Sequence, residues 1–295
     1  MARFLGRYSL SFHFKRSAAA ALALGVFSAG AVSLAAEQIK KDLAVGPKPS
    51  LMLKNQSGAI SVRTWDQNRI EIQATPSSDS MEVMIIPGEQ KVTVQTHARN
   101  GTPPAGAKVD FEILVPKQAT VQVDSERGQI SVENVEGDIH IEGVSNSVGL
   151  TNLSGHITVR TMDGPVLLRA CQGQIEARSI SGDLKFIHVN ASELIANTNS
   201  GTISYEGDFG SAGHYVLNNF RSPINIIASD KASFELTARA VEGSIESDMA
   251  FRPTRLGQPF RRLSPSKFLQ GLFRTGESTV QVTSYSGTIR LHGPR

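Results

Sequence analysis

The sequence predicts an all-β fold, a parallel β-solenoid of nine-residue Gly-x-Ile-x-Val units closed by irregular β caps. The first observation behind it is a strict period. Segments start at 128, 137, 146, 155, 164, 173 and 182, with glycine at every start except Asn146. The second is a pair of apolar slots two and four residues after each start, as in Ile130 with Val132 and Ile157 with Val159. A period of two puts both on one face of a short strand. The third is an apolar series seven after each start: Val135, Val144, Leu153, Met162, Cys171, Ile180 and Val189. This series is expected to plug the bend before the chain turns. Constant spacing superposes like residues from coil to coil, so each strand takes its partner from the next coil. Two units per coil, giving two facing sheets, is the preferred arrangement. A three-sided coil and an antiparallel meander are the alternatives. In this register Ile157 faces the core and Thr158 faces solvent. Asn146 replaces glycine as a residue that also tolerates positive φ.

In chain order, residues 1–16 carry Arg3, Arg7, Lys15 and Arg16 without an acid, and 17–36 are uncharged and rich in Ala, Leu and Val. Residues 1–36 therefore read as one N-terminal helix, a signal peptide or a membrane anchor, with 17–36 as the membrane-associating part. The small-x-small context before Glu37 favours cleavage near Ala35, and no cysteine is present there for a lipid anchor. Either outcome places the rest of the chain outside the cytoplasm: in the periplasm, at the cell surface, secreted, or held at the inner membrane. Residues 37–50, with Gly46, Pro47, Pro49 and three lysines, read as a linker. A single solenoid domain fills 51–295. Its first third alternates less regularly (Ile60 and Val62, Ile70 and Ile72, Val83 and Ile85, Val92 and Val94) and reads as the atypical terminal cap. After Val189 the period slips by one residue and resumes at Gly201 with Ile203 and Tyr205, and the pattern closes with Val280, Val282, Ile289 and Leu291. Cys171, the one cysteine, occupies a core slot, so stability comes from a core and not from an internal disulfide.

The formal net charge of +3 comes from 30 basic and 27 acidic residues. Four of the basic residues lie in the leader. Six more (Arg252, Arg255, Arg261, Arg262, Lys267 and Arg274) lie in one acid-free stretch, the insertion 249–276. The remaining β body has 20 basic against 27 acidic residues and is net acidic, which argues against nucleic acid as a partner. Within the insertion, Ser264 and Pro265 resemble a helix start, and Phe268, Leu269, Leu272 and Phe273 fall on one apolar face. The expectation is a short helix over 264–274 that covers a sheet edge. A disordered segment and an interfacial segment are the other readings. In the last of these, Arg261, Arg262, Lys267, Phe268, Leu272, Phe273 and Arg274 contact a membrane or another anionic surface.

The run Asn55 to Val62, with Trp65-Asp66 and Ile70-Glu71-Ile72, resembles the opening of a family of bacterial extracytoplasmic domains of unknown function, the putative adhesins. Val109-Asp110-Phe111 through Pro116, and the phrases at Ser154-Gly155, Ser181-Gly182, Ser200-Gly201 and Ser286-Gly287, are similar to that family's recurring units. The resemblance spans roughly 50–292. It implies a β-solenoid-like fold, export and, in some members, envelope-stress systems. It supplies no catalytic residue and leaves 249–276 unexplained.

The sequence carries few chemical motifs. The repeats lack the calcium-binding Gly-Gly-x-Gly-x-Asp turn, and no phosphate loop, nucleophile elbow or zinc-binding helix is present. Asp138, Asp163 and Asp183 read as turn or outward positions, and the histidines show no metal spacing. In a coil of two units, Asp138, His156 and Gln174 stack on one outward ladder with His140, Thr158 and Glu176 beside them. A solvated β face needs such ladders anyway. No catalytic residue, cofactor or metal is assigned. The expected function is a non-catalytic envelope or surface protein with an adhesin-like binding or scaffold role and an unidentified protein or glycan partner. A glycan-active lyase or hydrolase on the same fold is the rival, and an envelope-stress sensor a third class. Paired carboxylates about 5–10 Å apart in a groove would mark the enzyme.

Overall fold

A nine-residue period with two units per coil demands pairing at an eighteen-residue offset, and the chain pairs that way. Ile157 lies beside Ile139 on one side and Ile175 on the other, parallel in both cases. The structure, a computed structural model, describes residues 38–253 and 266–294. Among them every regular element is a strand.

The N-terminal third comprises β1 (Ile39–Ala44), β2 (Ser50–Ser57), β3 (Ile60–Trp65), β4 (Arg69–Pro76), β5 (Met81–Ile86), β6 (Lys91–Ala98) and β7 (Val109–Pro116). The regular coils follow in β8 (Thr120–Glu133), β9 (Ile139–Thr151), β10 (Ser154–Asp163), β11 (Val166–Arg169), β12 (Gln172–Ser179) and β13 (Leu184–Ile187). They continue in β14 (Asn190–Thr198), β15 (Ile203–Gly207), β16 (His214–Asn219) and β17 (Ile224–Ala228). The C-terminal part is β18 (Phe234–Ala240), β19 (Ser244–Ser247), β20 (Phe268–Phe273), β21 (Ser278–Ser284) and β22 (Thr288–His292).

Each coil supplies two strand segments, one to each face. β10, β12, β14 and β16 stack on one face, and β11, β13, β15 and β17 on the other. Inward residues of both faces meet in one continuous core, with Ile139, Ile157, Ile175, Leu168 and Phe186 at 2% exposure or less. Cys171 is part of this core, and burial pushes its thiol pKa up. Thr158 departs from expectation. It lies on the outer face yet is only 7% exposed, because His140 and Glu176 flank it in the adjacent coils.

Both ends of the stack break sequence order. β2 and β3 insert between β8 and the strands β6 and β7, and β21 and β22 insert between β16/β17 and β18/β19. Three of the outermost positions are antiparallel: β5 on β6, and β1 on β4 on β7, at one end, and β20 on β18 at the other, where β19 ends the second face parallel to β22. An unpaired edge is a liability, and these strands cover it. Two expectations change here. Residues 39–44, within the stretch read as a linker, form β1. Residues 268–273, expected as part of a helix, form β20. The free donors and acceptors of β18 pair with that segment, and this outweighs its i, i+4 apolar spacing. The covering role expected of the helix falls to the strand. Residues 1–37 and 254–265, with the leader, Arg261, Arg262, Ser264 and Pro265, lie outside the described residues. Among the described residues no helix is long and apolar enough to cross a membrane.

The two corners of the coil are chemically different, which the uniform period conceals. At one corner Val135, Leu153, Cys171 and Val189 are buried as expected. The chain turns there through left-handed residues one position earlier: Asn134, Asn152, Ala170 and His188, with φ of 62, 54, 52 and 50°. Asn152 Nδ2 donates to Asn134 Oδ1 at 2.7 Å, an amide ladder that stops at Ala170. Alanine in this region is strained and asparagine is not. Ala170→Asn is therefore expected to stabilise the fold by about 0.5–1 kcal/mol, raising Tm by about 2 °C. A melting temperature at or below that of the parent would show that the corner is not strained.

At the other corner, Val144, Met162 and Ile180 of the same series are 45%, 52% and 51% exposed, not buried. The interior of this turn is occupied instead by the preceding residues, among them Thr161, Ser179, Thr198 and Asn219, each under 10% exposed. Ser179 Oγ accepts from Gly182 N at 2.8 Å, Thr198 Oγ1 from Gly201 N at 3.1 Å, and Asn219 Oδ1 from Ser222 N at 2.8 Å. A polar side chain that satisfies the turn's own N–H groups takes the inward place, and its apolar neighbour is turned out. Asn146 does not take positive φ either. It is buried here, with Nδ2 donating to Ser125 Oγ at 3.1 Å.

Candidate functional site

The outward residues of this second corner superpose from coil to coil into a ridge. Register places Val144, Met162, Ile180, Asn199, Phe220, Tyr285 and Val241 in one column. Eight large apolar side chains are exposed among the described residues, and six of them belong to this column; only Met84 and Ile86 lie elsewhere. Scattered exposed apolar residues need no explanation, but six in one column, interrupted at Asn199 alone, mark a contact surface.

Beside the ridge runs an open groove of about 510 Å³. One wall is the outward column Arg178, Asn197, Asn218 and Thr283; the other is Asn199, Phe220, Tyr285 and Val241. Between them lie Ser179, Thr198 and Asn219, whose side chains are committed to the turns below. Phe220 and Tyr285 stack in parallel, with centroids 4.6 Å apart and planes at 3°. Asn218 Nδ2 donates to Asn197 Oδ1 at 2.9 Å, so the amide wall is pre-ordered. Among the described residues the one cation of the lining is Arg178, paired with Glu176 at 2.5 Å. Tyr285 Oη donates to Glu242 Oε1 at 3.0 Å, and that bond raises the phenol's pKa.

The model of the Toastrack DUF4097 family matches residues 48–292. The chain belongs to the Toastrack DUF4097 family. No curated protein matches the chain. Among solved structures, a putative adhesin from Bacteroides fragilis NCTC 9343 is 14% identical with TM-score 0.45, over 86% of this chain and 97% of that one. A putative cell adhesion protein from Clostridium sporogenes ATCC 15579 is 9% identical with TM-score 0.26, over 87% and 100% of the two chains. A putative adhesin from Parabacteroides merdae ATCC 43184 is 9% identical with TM-score 0.25, over 86% and 96%. Membership of the Toastrack family names no ligand or reaction, so the site has to be read from its geometry.

The residues singled out in the sequence fall elsewhere. His140, Thr158 and Glu176 do stack on one outer ladder, with His156 beside Gln174. Glu176 is held by Arg178 and by Arg160 at 3.5 Å, and His140 Nε2 lies 3.1 Å from Glu142. Asp183 Oδ1 accepts from Thr202 N at 2.6 Å and Asp163 Oδ1 from Ser181 Oγ at 3.1 Å, so both serve turns. Among the described residues no three His, Cys, Asp or Glu side chains form a metal-binding group.

The described members of the basic insertion are gathered at the C-terminal cap. Lys267 Nζ donates to the carbonyls of Glu242 and Gly243 at 2.6 and 2.7 Å. Phe268 is half-buried opposite Arg239, and Leu272 is 8% exposed. Phe273 packs against Phe234 and Phe251 at 5.4 and 6.1 Å, with Arg274 exposed over its ring. Phe273, with Leu269, thus packs on the core, whereas Leu272, opposite Glu235 on the other face of the strand, is covered beside Gly276. The ridge and groove were missed because the nine-residue slots look alike at both corners. Their signal is the slot one position earlier, which at twice the period separates into Asn134, Asn152, Ala170 and His188 at one corner and Gly143, Thr161 and Ser179 at the other.

Proposed function

We propose that the protein is a non-catalytic, exported β-solenoid of the cell envelope or surface that binds a partner along its second corner. The observation that carries this reading is the ridge, where six exposed apolar side chains fall into one register. Its placement on a rigid stack suits a recognition surface, because each residue is fixed by pairing to the coils above and below. The absence of acids from the adjoining groove favours binding over turnover. Among the described residues no Asp, Glu, His, Cys or Lys lines it, whereas glycoside hydrolysis needs a carboxyl pair flanking the scissile bond. The uncharged stretch 17–36 behind a basic start supports export.

The test has two arms in intact cells of the native host. Fractionation is expected to recover the protein outside the cytoplasm. A photo-crosslinking residue at Ile180 is expected to form adducts there, and one at Lys185, an exposed position off the ridge, is not. Recovery with soluble cytoplasmic proteins alone would sink the export half. Equal labelling at both positions would sink the ridge.

A further inference from the structure

We infer that the groove beside the ridge takes an extended, uncharged glycan segment, a reading that rests on the binding role proposed above. The first ground is the pairing of unlike walls. Phe220 and Tyr285 offer apolar surface at 43% and 38% exposure, and Asn197, Asn218 and Thr283 face them with amide and hydroxyl groups. A pyranose ring is built the same way, with C–H faces that lie against aromatic surface and a rim of hydroxyls that both donate and accept. An asparagine amide also does both, two donors and an acceptor on one planar group.

Charge supplies the second ground. Arg178 shares the Glu176 carboxylate with Arg160, and among the described residues the groove lining holds no other ionisable group except the Tyr285 phenol, which already donates to Glu242. Against these amides, hydroxyls and rings, an anionic polysaccharide, a nucleic acid or a lipid headgroup meets one carboxylate-paired guanidinium in the lining, with Arg221 beside the Phe220 ring at its margin.

The backbone gives the third. An extended peptide is usually captured by adding it to a sheet edge. Here the corner backbone is already spent between coils: Asn199 donates to Ile180 O at 3.2 Å, Tyr285 to Asn219 O at 3.1 Å, and Val241 to Ser284 O at 3.0 Å. A peptide meets side chains alone, and those are the groups a sugar uses best. The groove also repeats. Parallel coils return like groups about every 4.8 Å, which suits an extended polymer with a recurring hydroxyl pattern.

The experiment measures binding of the hexamers of β-1,4-linked glucose and β-1,4-linked N-acetylglucosamine to the full chain by calorimetry. Polygalacturonate and an uncharged extended peptide of similar length are run alongside. At least one hexamer is expected to bind, with an affinity that does not change between low and high salt. Phe220→Ala with Tyr285→Ala is expected to weaken binding by about tenfold or more, with the melting temperature kept because both rings are half-exposed. Phe220→Trp should retain binding and report it by a change in indole emission. The inference falls if neither hexamer binds, if the double variant binds as the parent does, or if only polygalacturonate or the peptide binds. Loss of glycan binding with adducts persisting at Ile180 removes the ligand class and leaves the ridge standing. Loss of both removes the wider reading as well.

Discussion

Ile157→Asp is expected to unfold the domain at ordinary temperatures, while Thr158→Asp leaves it folded and measurably weaker. Ile157 is 0% exposed and sits between Ile139 and Ile175 in a column with no polar neighbour in register. A carboxylate there is buried without a partner, and the cost of several kcal/mol approaches a whole domain's margin of about 5–15 kcal/mol. Thr158, one residue on, points the other way. Because it is 7% exposed and lies beside Glu176, an aspartate meets some burial and a like charge, for about 1–2 kcal/mol. Urea unfolding followed by far-UV circular dichroism separates the two. Equal loss in both variants would mean that the strand's faces have been assigned the wrong way round.

This pair also shows how far the sequence could be read. Which residue of Ile157 and Thr158 faces inward follows from a period of two, and the stacking of His140, Thr158 and Glu176 follows from a coil of eighteen. Both are arithmetic on a strict repeat, and a strict repeat transmits local geometry without tertiary surprises. What was not legible depends on contacts between distant segments. Residues 39–44 look like a linker because their lysines show no alternation, yet the exposed edge of β4 gives them partners. Residues 268–273 have helical apolar spacing, but β18 lies open beside them and Phe234 waits for Phe273. The ridge was hidden for a third reason. Val144 and Val135 occupy the same slot of the repeat, and polar side chains that fill the second corner, Asn146 beside Gly143 in one coil and Thr161 and Ser179 in the next two, turn Val144, Met162 and Ile180 out. Thr161 and Ser179, one position before that slot, were present in the sequence, but a nine-residue reading averages them with Asn134 and Asn152. An eighteen-residue reading keeps them apart.

Gly182→Ala is expected to cost about 3 kcal/mol or more, although a single methyl group is added and no hydrogen bond is removed. The reason is space and not flexibility. A Cβ at Gly182 would lie 2.0 Å from the carbonyl oxygen of Gly164 in the coil before, and a Cβ at Gly201 would stand 2.0 Å from the carbonyl of Gly182 itself. The obstacle is backbone held in a parallel ladder on both sides, so relief requires separating coils and not rotating a side chain. Separation at this corner also draws Gly182 N away from Ser179 Oγ, a 2.8 Å bond that closes the turn. Gly149, in the strand leading away from the same corner, is the control. Its added Cβ would meet nothing nearer than the Ile130 carbonyl at 4.0 Å. There alanine removes only the entropy of an unfolded glycine, and a gain of about 0.5 kcal/mol is expected. The two substitutions are chemically identical and should move the urea midpoint in opposite directions. A loss at Gly149 as large as at Gly182 would show that the repeat requires glycine for its backbone freedom everywhere. A loss confined to Gly182 assigns the requirement to the close approach of successive coils at the corner that carries the ridge.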